Sequence, residues 1–234
     1  MGLPEETIAD IRRRLIEAAT KLFIEEGYRA SIERIAARAG VARQTVYNHF
    51  SSKDDLFSEV ANLVAGSILV TLDGEGLDVR ERLQRFGVAF RLRVLSDEGL
   101  AMYRTIAAEV PRFPELGRAF FAKGPEQTIT RLAAFLAQEM DAGTLRRDDP
   151  RFAAELLTSM LTGFDRTRRL FGAAADPDHH TEDREQALVA RIIDSFLRIH
   201  ALPHSPPSEG LSHDRTVGIP SDSSVAPADG LRAE

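Results

Sequence analysis

Apolar residues over the first 202 positions recur at three- and four-residue spacing, and no run alternates apolar with polar positions between hairpin turns. The chain therefore reads as all-α. A first helix carries Ile8, Ile11, Leu15, Ala19, Leu22 and Phe23 on one face, and Gly27 closes it as a residue that tolerates positive φ. Ser31 is placed to cap a short second helix with Ile32, Ile35, Ala36 and Ala39 on its apolar side. A turn at Ala39-Gly40-Val41-Ala42 leads to a third helix from about Arg43 to Phe50, held inward by Val46 and Phe50. A fourth starts after Ser52-Lys53-Asp54-Asp55, where Ser52 and Asp55 form a capping pair. It carries Leu56, Phe57, Val60, Leu63, Val64, Ile68 and Leu72 and ends at Asp73-Gly74-Glu75-Gly76.

Further helices are predicted over 78–96, 98–110, 115–142 with an interruption at Gly124-Pro125, 149–172 and 181–201. The helix over 149–172 has Asp148 and Asp149 at its positive end, Pro150 at its first turn, arginines at 166, 168 and 169 near its negative end, and Gly172 as its stop. From Pro203 to Glu234, 14 of 32 residues are Pro, Gly or Ser and none is aromatic, so this stretch reads as a disordered tail. Three segments follow: 1–57 as an N-terminal helical domain, 58–202 as a helical bundle, and 203–234 as the tail.

The function turns on the second and third helices. Two short helices joined by a Gly-containing turn form the unit that sets its second helix in a DNA major groove. Ile35, Val41, Val46 and Phe50 would pack the pair against helix one, leaving Gln44, Tyr47 and Asn48 outward with Arg43 at the N-terminal edge. That face is rich in groups that meet phosphates and base edges. Charge changes the picture locally. The 234-residue chain carries a net −6, yet between Gly27 and Lys53 five bases (Arg29, Arg34, Arg38, Arg43, Lys53) face one acid, Glu33. This stretch is +4 against −10 elsewhere, and a phosphate feels charge within about a Debye length, roughly 8–10 Å. Arg34 and Arg38, spaced i,i+4, read equally as a solvated face or as backbone contacts.

The stretch from Ser31 to Leu56 resembles the N-terminal signature of TetR-type transcriptional regulators: Ile35-Ala36, Ala39-Gly40-Val41, Tyr47-Asn48-His49-Phe50 and Lys53-Asp54-Asp55-Leu56 stand at the family spacing. The resemblance implies phosphate contacts for Tyr47, His49 and Lys53, base-edge or nearby backbone contacts for Arg43, Gln44, Thr45 and Asn48, and a cap beside a phosphate for Ser31. It covers residues 8–57 densely. More loosely, Glu109 to Leu116 and Gly143 to Arg146 are similar to stretches in one branch of the family. The fold implied is a three-helix helix-turn-helix domain followed by a ligand-binding and dimerisation bundle. The partners implied are double-stranded operator DNA, a second copy of the chain and a small-molecule effector.

Residue patterns bear on the dimer independently. Leu188, Val189, Ile192, Ile193, Phe196, Leu197 and Ile199 make an arc too wide for packing on one side, as do Phe152, Leu156, Leu157, Met160, Leu161 and Phe164. Two such helices from each chain could form a four-helix interface on a two-fold axis. Among the middle helices, Tyr103, Glu109, Phe135 and Phe164 are candidate effector contacts, although helical spacing alone reads most such aromatics as core. No cofactor is implied. Zero cysteines exclude disulfides and thiolate metal sites, and His179-His180 among Asp176, Asp178, Glu182 and Asp183 lacks the i,i+3 or i,i+4 spacing of helical ligands. The start of the chain lacks a secretory pattern and no uninterrupted apolar run nears about 20 residues, so the reading is cytoplasmic with no membrane partner. Scattered carboxylates, including Glu109 and Glu115, have no partner placed for acid–base work. A ligand-independent regulator or activator is the rival of the same fold. An enzyme with a relic DNA-binding unit and a protein-interaction bundle are rivals from other classes.

Overall fold

The computed structural model describes residues 8–74, 76–173 and 182–202. The tail 203–234 and the pair His179-His180 lie outside the described residues. Eleven α-helices occur among those described: α1 (Ile8–Glu26), α2 (Ile32–Ala39), α3 (Arg43–His49), α4 (Lys53–Leu69), α5 (Val79–Val94), α6 (Asp97–Glu109), α7 (Pro114–Lys123), α8 (Pro125–Asp141), α9 (Pro150–Thr162), α10 (Asp165–Leu170) and α11 (Glu182–Ile199). Short 3-10 turns follow α1 (Gly27–Arg29) and α4 (Val70–Leu72).

Local chemistry sets most boundaries. The Ser31, Ser52 and Ser96 hydroxyls accept amide hydrogens at the starts of α2, α4 and α6. Asp78 and Glu81 cap α5 reciprocally, each side chain accepting the other's amide, at 2.8 and 3.1 Å. Pro opens α7, α8 and α9, where a missing N–H costs nothing. The interruption expected at Gly124-Pro125 separates α7 from α8.

One expectation is overturned. Residues 149–172 do not form one helix: Gly163, at φ 45 and ψ −142, breaks them into α9 and α10. The Leu161 carbonyl, which a continuous helix would offer to the amide of residue 165, instead accepts from the Arg91 guanidinium at 2.5 Å. Ile8, placed on the apolar face of the first helix, is 77% exposed, because that helix is buried only from Leu15 to Phe23.

Two apolar cores result. The first joins Leu15, Leu22 and Phe23 of α1, Ile35 of α2, Val46 of α3 and Leu56, Phe57 and Val60 of α4, and is closed by Met102 of α6 and Leu116 of α7. The second joins Ala65, Ile68 and Leu69 of α4, Leu83 and Phe86 of α5, Leu132 and Leu136 of α8, Leu157 and Leu161 of α9, and Val189, Ile193 and Phe196 of α11. α4 belongs to both, and the boundary drawn between residues 57 and 58 falls within it. Gly87 lets α5 approach closely, since a Cβ there would lie 2.7 Å from Val189 and 3.1 Å from Leu161. The stretch Lys53–Leu72 is long and apolar enough for a spanning helix, but half of it is buried inside the protein, which accounts for its apolar character.

Candidate nucleic-acid interface

The helix-turn-helix is assembled from α2, its turn and α3. Ile32, Ile35, Ala36 and Ala39 bury one side of α2, and Val46 with Phe50 anchors α3 at its middle and end. Gly40 takes the left-handed conformation, φ 68 and ψ 36. Its amide bonds to the Ala37 carbonyl at 3.2 Å and the Val41 amide to that of Ala36 at 3.0 Å, which ends α2 and turns the chain. Arg14 of α1 donates to the Ala39 carbonyl at 3.0 Å and to that of Gly40 at 3.4 Å, tying the turn to α1. Gly40→Ala is expected to destabilise the protein by about 1–2 kcal/mol through the left-handed penalty. The new Cβ would also stand 3.1 Å from the Arg14 guanidinium. A lowered melting temperature checks this; an unchanged one would show that the turn relaxes freely.

With Val46 and Phe50 turned in, α3 presents Arg43, Gln44, Tyr47 and Asn48 exposed, and Thr45 and His49 half-buried at its edges. The Gln44 amide donates to Asn48 Oδ1 at 3.3 Å, which aligns two amide side chains one turn apart. The Arg43 guanidinium lies 5.6 Å from the centre of the Tyr47 ring and pairs with Glu33 at 3.0 Å. Ser31 holds its cap by accepting the Arg34 amide at 3.3 Å.

The charge of this region differs from the count along the sequence. Arg34 pairs with Glu26 at 2.5 Å and Arg38 with Glu25 at 2.7 Å. Both acids come from the end of α1, just outside the stretch counted as +4. Hydrogen bonding from Arg38 holds the Glu25 carboxyl below its ordinary range, and Glu33 is lowered by its own amide and by Ser31. Arg34, Arg38 and Arg43 thus face solvent already paired.

Lys53, at the first turn of α4, is engaged within the protein. Its ammonium donates to the Tyr28 carbonyl and stands 4.2 Å from the centre of the Tyr28 ring. Burial depresses its pKa, partly offset by Glu109 across the gap. Sequence reasoning missed Arg12 and Arg14. Arg12 lies over the Phe50 ring at 5.2 Å and pairs with Glu59 at 2.6 Å. Their signal was the run Arg12-Arg13-Arg14 on a helix whose apolar face already serves the core.

The four effector candidates are not gathered. Phe135 is buried in the second core with the Arg82 guanidinium 4.3 Å from its ring centre. Tyr103 is exposed under Arg166, and Phe164, 67% exposed, lies beside Arg168. Glu109 lines a cavity of about 340 Å³ with Tyr28, Arg29, Lys53, Arg112 and Phe113. Among the described residues no three His, Asp or Glu side chains are grouped to hold a metal ion.

Comparison with known proteins agrees with this geometry. Residues 15–60 match the family of bacterial regulatory proteins described as the tetR family, and residues 81–201 match the C-terminal domain of AefR-like transcriptional repressors. The chain is 26% identical over 156 residues to the HTH-type transcriptional repressor DhaR of Mycobacterium sp. strain GP1, covering 64% of this chain and 76% of DhaR. Its fold is similar to that of the flavonoid-responsive regulator FrrA, with 30% identity, a TM-score of 0.64, and coverage of 84% of this chain and 100% of FrrA. A TetR-family regulator of Mesorhizobium loti superposes with a TM-score of 0.67 at 28% identity, over 85% of this chain and 100% of that one.

Proposed function

The chain belongs to the TetR family of bacterial regulatory proteins and is a DNA-binding transcriptional regulator, and on that premise we propose that it acts as a homodimeric repressor released from a palindromic operator by a small molecule. The observation that carries the DNA reading is the division of α3: Val46 and Phe50 are buried while Arg43, Gln44, Tyr47 and Asn48 stand exposed. In this reading Gln44 and Asn48 read base edges with Arg43 and Thr45 beside them. Tyr47, His49 and Ser31 meet the backbone, and Lys53 joins them by leaving Tyr28. Residues 1–57 carry the DNA contacts and 58–202 the effector and dimer functions, and the protein works in the cytoplasm, where its DNA is.

The dimer reading is supported by apolar surface left on the late helices. Phe152 on α9, Phe164 after it and Ile199 on α11 are exposed, and Leu156, Leu188 and Ile192 are half-buried. A two-fold pair places its recognition helices in successive major grooves about 34–36 Å apart. An effector releases such a dimer only through different affinities for the two separations. Repression is supported by the repressors among the relatives.

Selection of bound duplexes from random DNA, followed by mobility shifts, tests the reading. Gln44→Ala is expected to weaken the selected site by about 1–3 kcal/mol while sparing random duplex. Equal losses on both would remove Gln44 from base readout, and a chain that ignores every duplex at low ionic strength would overturn the DNA assignment.

A further inference from the structure

The cavity beside Lys53 is built from both ends of the molecule's logic: Tyr28 and Arg29 from the turn after α1, Lys53 from the start of α4, and Glu109, Arg112 and Phe113 from the end of α6 and the turn beyond it. Its charge is unbalanced. Three cations surround one carboxylate, and Glu109 acts on the Lys53 ammonium through space without an ion pair between them. Arg29 and Arg112 have no carboxylate partner among the described residues, in contrast to the paired Arg12, Arg13, Arg34, Arg38 and Arg43 nearby. Two solvent-facing cations without a carboxylate partner leave this wall net positive, where acids pair most of its neighbours.

The remaining wall is two aromatic rings, Phe113 and Tyr28, the latter with the Lys53 ammonium 4.2 Å from its centre and its hydroxyl donating to Asp54. The Tyr28 and Phe113 rings lie 6.0 Å apart at 53°, with the Arg112 guanidinium 5.5 Å from the Phe113 ring centre. A bare hydrated phosphate would use none of this surface. The volume, about 340 Å³, lies at the lower end of small-molecule pockets, roughly 300–1,000 Å³. We propose that this cavity binds a small organic anion, a carboxylate on a planar apolar body, with Arg112 and Arg29 taking the carboxylate and the Tyr28 and Phe113 rings taking the body. The proposal deepens the effector reading, on which it rests, by placing a ligand at the seam between α6 and the DNA-binding helices and giving its chemical class.

The probe is 2-naphthoate, titrated calorimetrically into the full chain without DNA. Saturable binding is expected, weakened by about tenfold in Arg112→Ala through loss of a charge-assisted contact. The neutral analogue 2-naphthalenemethanol should bind the unaltered protein about tenfold more weakly for the same reason. Arg112→Lys keeps the charge and loses the planar fork, and should fall between the two. Arg112 is exposed, and its alanine variant should melt with the parent chain; should it not, the alcohol and the lysine variant decide in its place. No saturable naphthoate binding, equal affinity for the alcohol, or an affinity indifferent to residue 112 would overturn the proposal. Mobility shifts with random duplex, run on the same preparations, report DNA binding separately: loss there with naphthoate binding intact sinks the regulator reading and not the pocket.

Discussion

Arg91→Ala is expected to lower stability by about 3–5 kcal/mol, the usual loss when one partner of a buried ion pair is removed. The Arg91 side chain is 3% exposed and all its nitrogens are engaged. Nε donates to Glu185 at 2.7 Å, Nη1 to the Leu161 carbonyl at 2.5 Å, and Nη2 to Asp165 at 2.8 Å and to Glu185 at 3.2 Å. Truncation would strip the Glu185 carboxylate, 11% exposed, of both its contacts to Arg91. It would also deprive the Leu161 carbonyl, in the last turn of α9, of its guanidinium donor. For a protein of this size the melting temperature should fall by roughly 10 °C. Thermal unfolding followed by circular dichroism checks this, and a drop below about 2 °C, the shift expected of roughly 1 kcal/mol, would show that water already satisfies the two carboxylates. The fold of the N-terminal helices should survive the change, because the Arg91 side chain bonds to α9, α10 and α11.

Phe57→Ala is expected to cost about 3–5 kcal/mol for a different reason, the cavity left by a large aromatic. Phe57 is fully buried in α4, with ring centres of Phe23 at 4.7 Å, Tyr28 at 5.5 Å and Phe120 at 5.5 Å. The first two contacts are edge-on, the favourable arrangement for ring quadrupoles. The ring therefore joins α1, α4, α7 and the turn bearing Tyr28. Chemical denaturation should show a lower midpoint with an unchanged slope. Phe57→Leu, which refills most of the space, should recover more than half of the loss. Equal stability of the two variants would mean that the surrounding helices collapse onto the gap.

Helix positions in the first 72 residues were readable because their determinants are close in sequence: Ser31 caps its own helix, Gly40 turns its own chain, and Val46 with Phe50 lies one turn apart. The break at Gly163 was hidden because a lone glycine is tolerated within a helical pattern, and the donor that takes up the Leu161 carbonyl, Arg91, lies 70 residues away. A charge count over 27–53 missed Glu25 and Glu26, since the antiparallel return of α2 beside α1 brings in acids that lie earlier in the chain. Tyr103, Phe135 and Phe164 are all aromatic, yet Phe135 is buried while Tyr103 and Phe164 stand exposed, a difference that periodicity cannot make. Glu109 was legible as a polar residue near the middle helices. Its neighbours Tyr28, Arg29 and Lys53 were not, because they come from a segment read for DNA alone.

The carboxylates held by Arg34, Arg38 and Arg43 bear on how such a protein would travel along a chromosome. A guanidinium that trades an acid for a phosphate forfeits one partner to gain another, so random sequence offers it little net attraction. Release of condensed ions from the duplex would then be opposed by stranding Glu25, Glu26 and Glu33 beside a polyanion. Sojourns on irrelevant sites should be short, and a long residence is left to duplexes whose base edges satisfy the amides of Gln44 and Asn48.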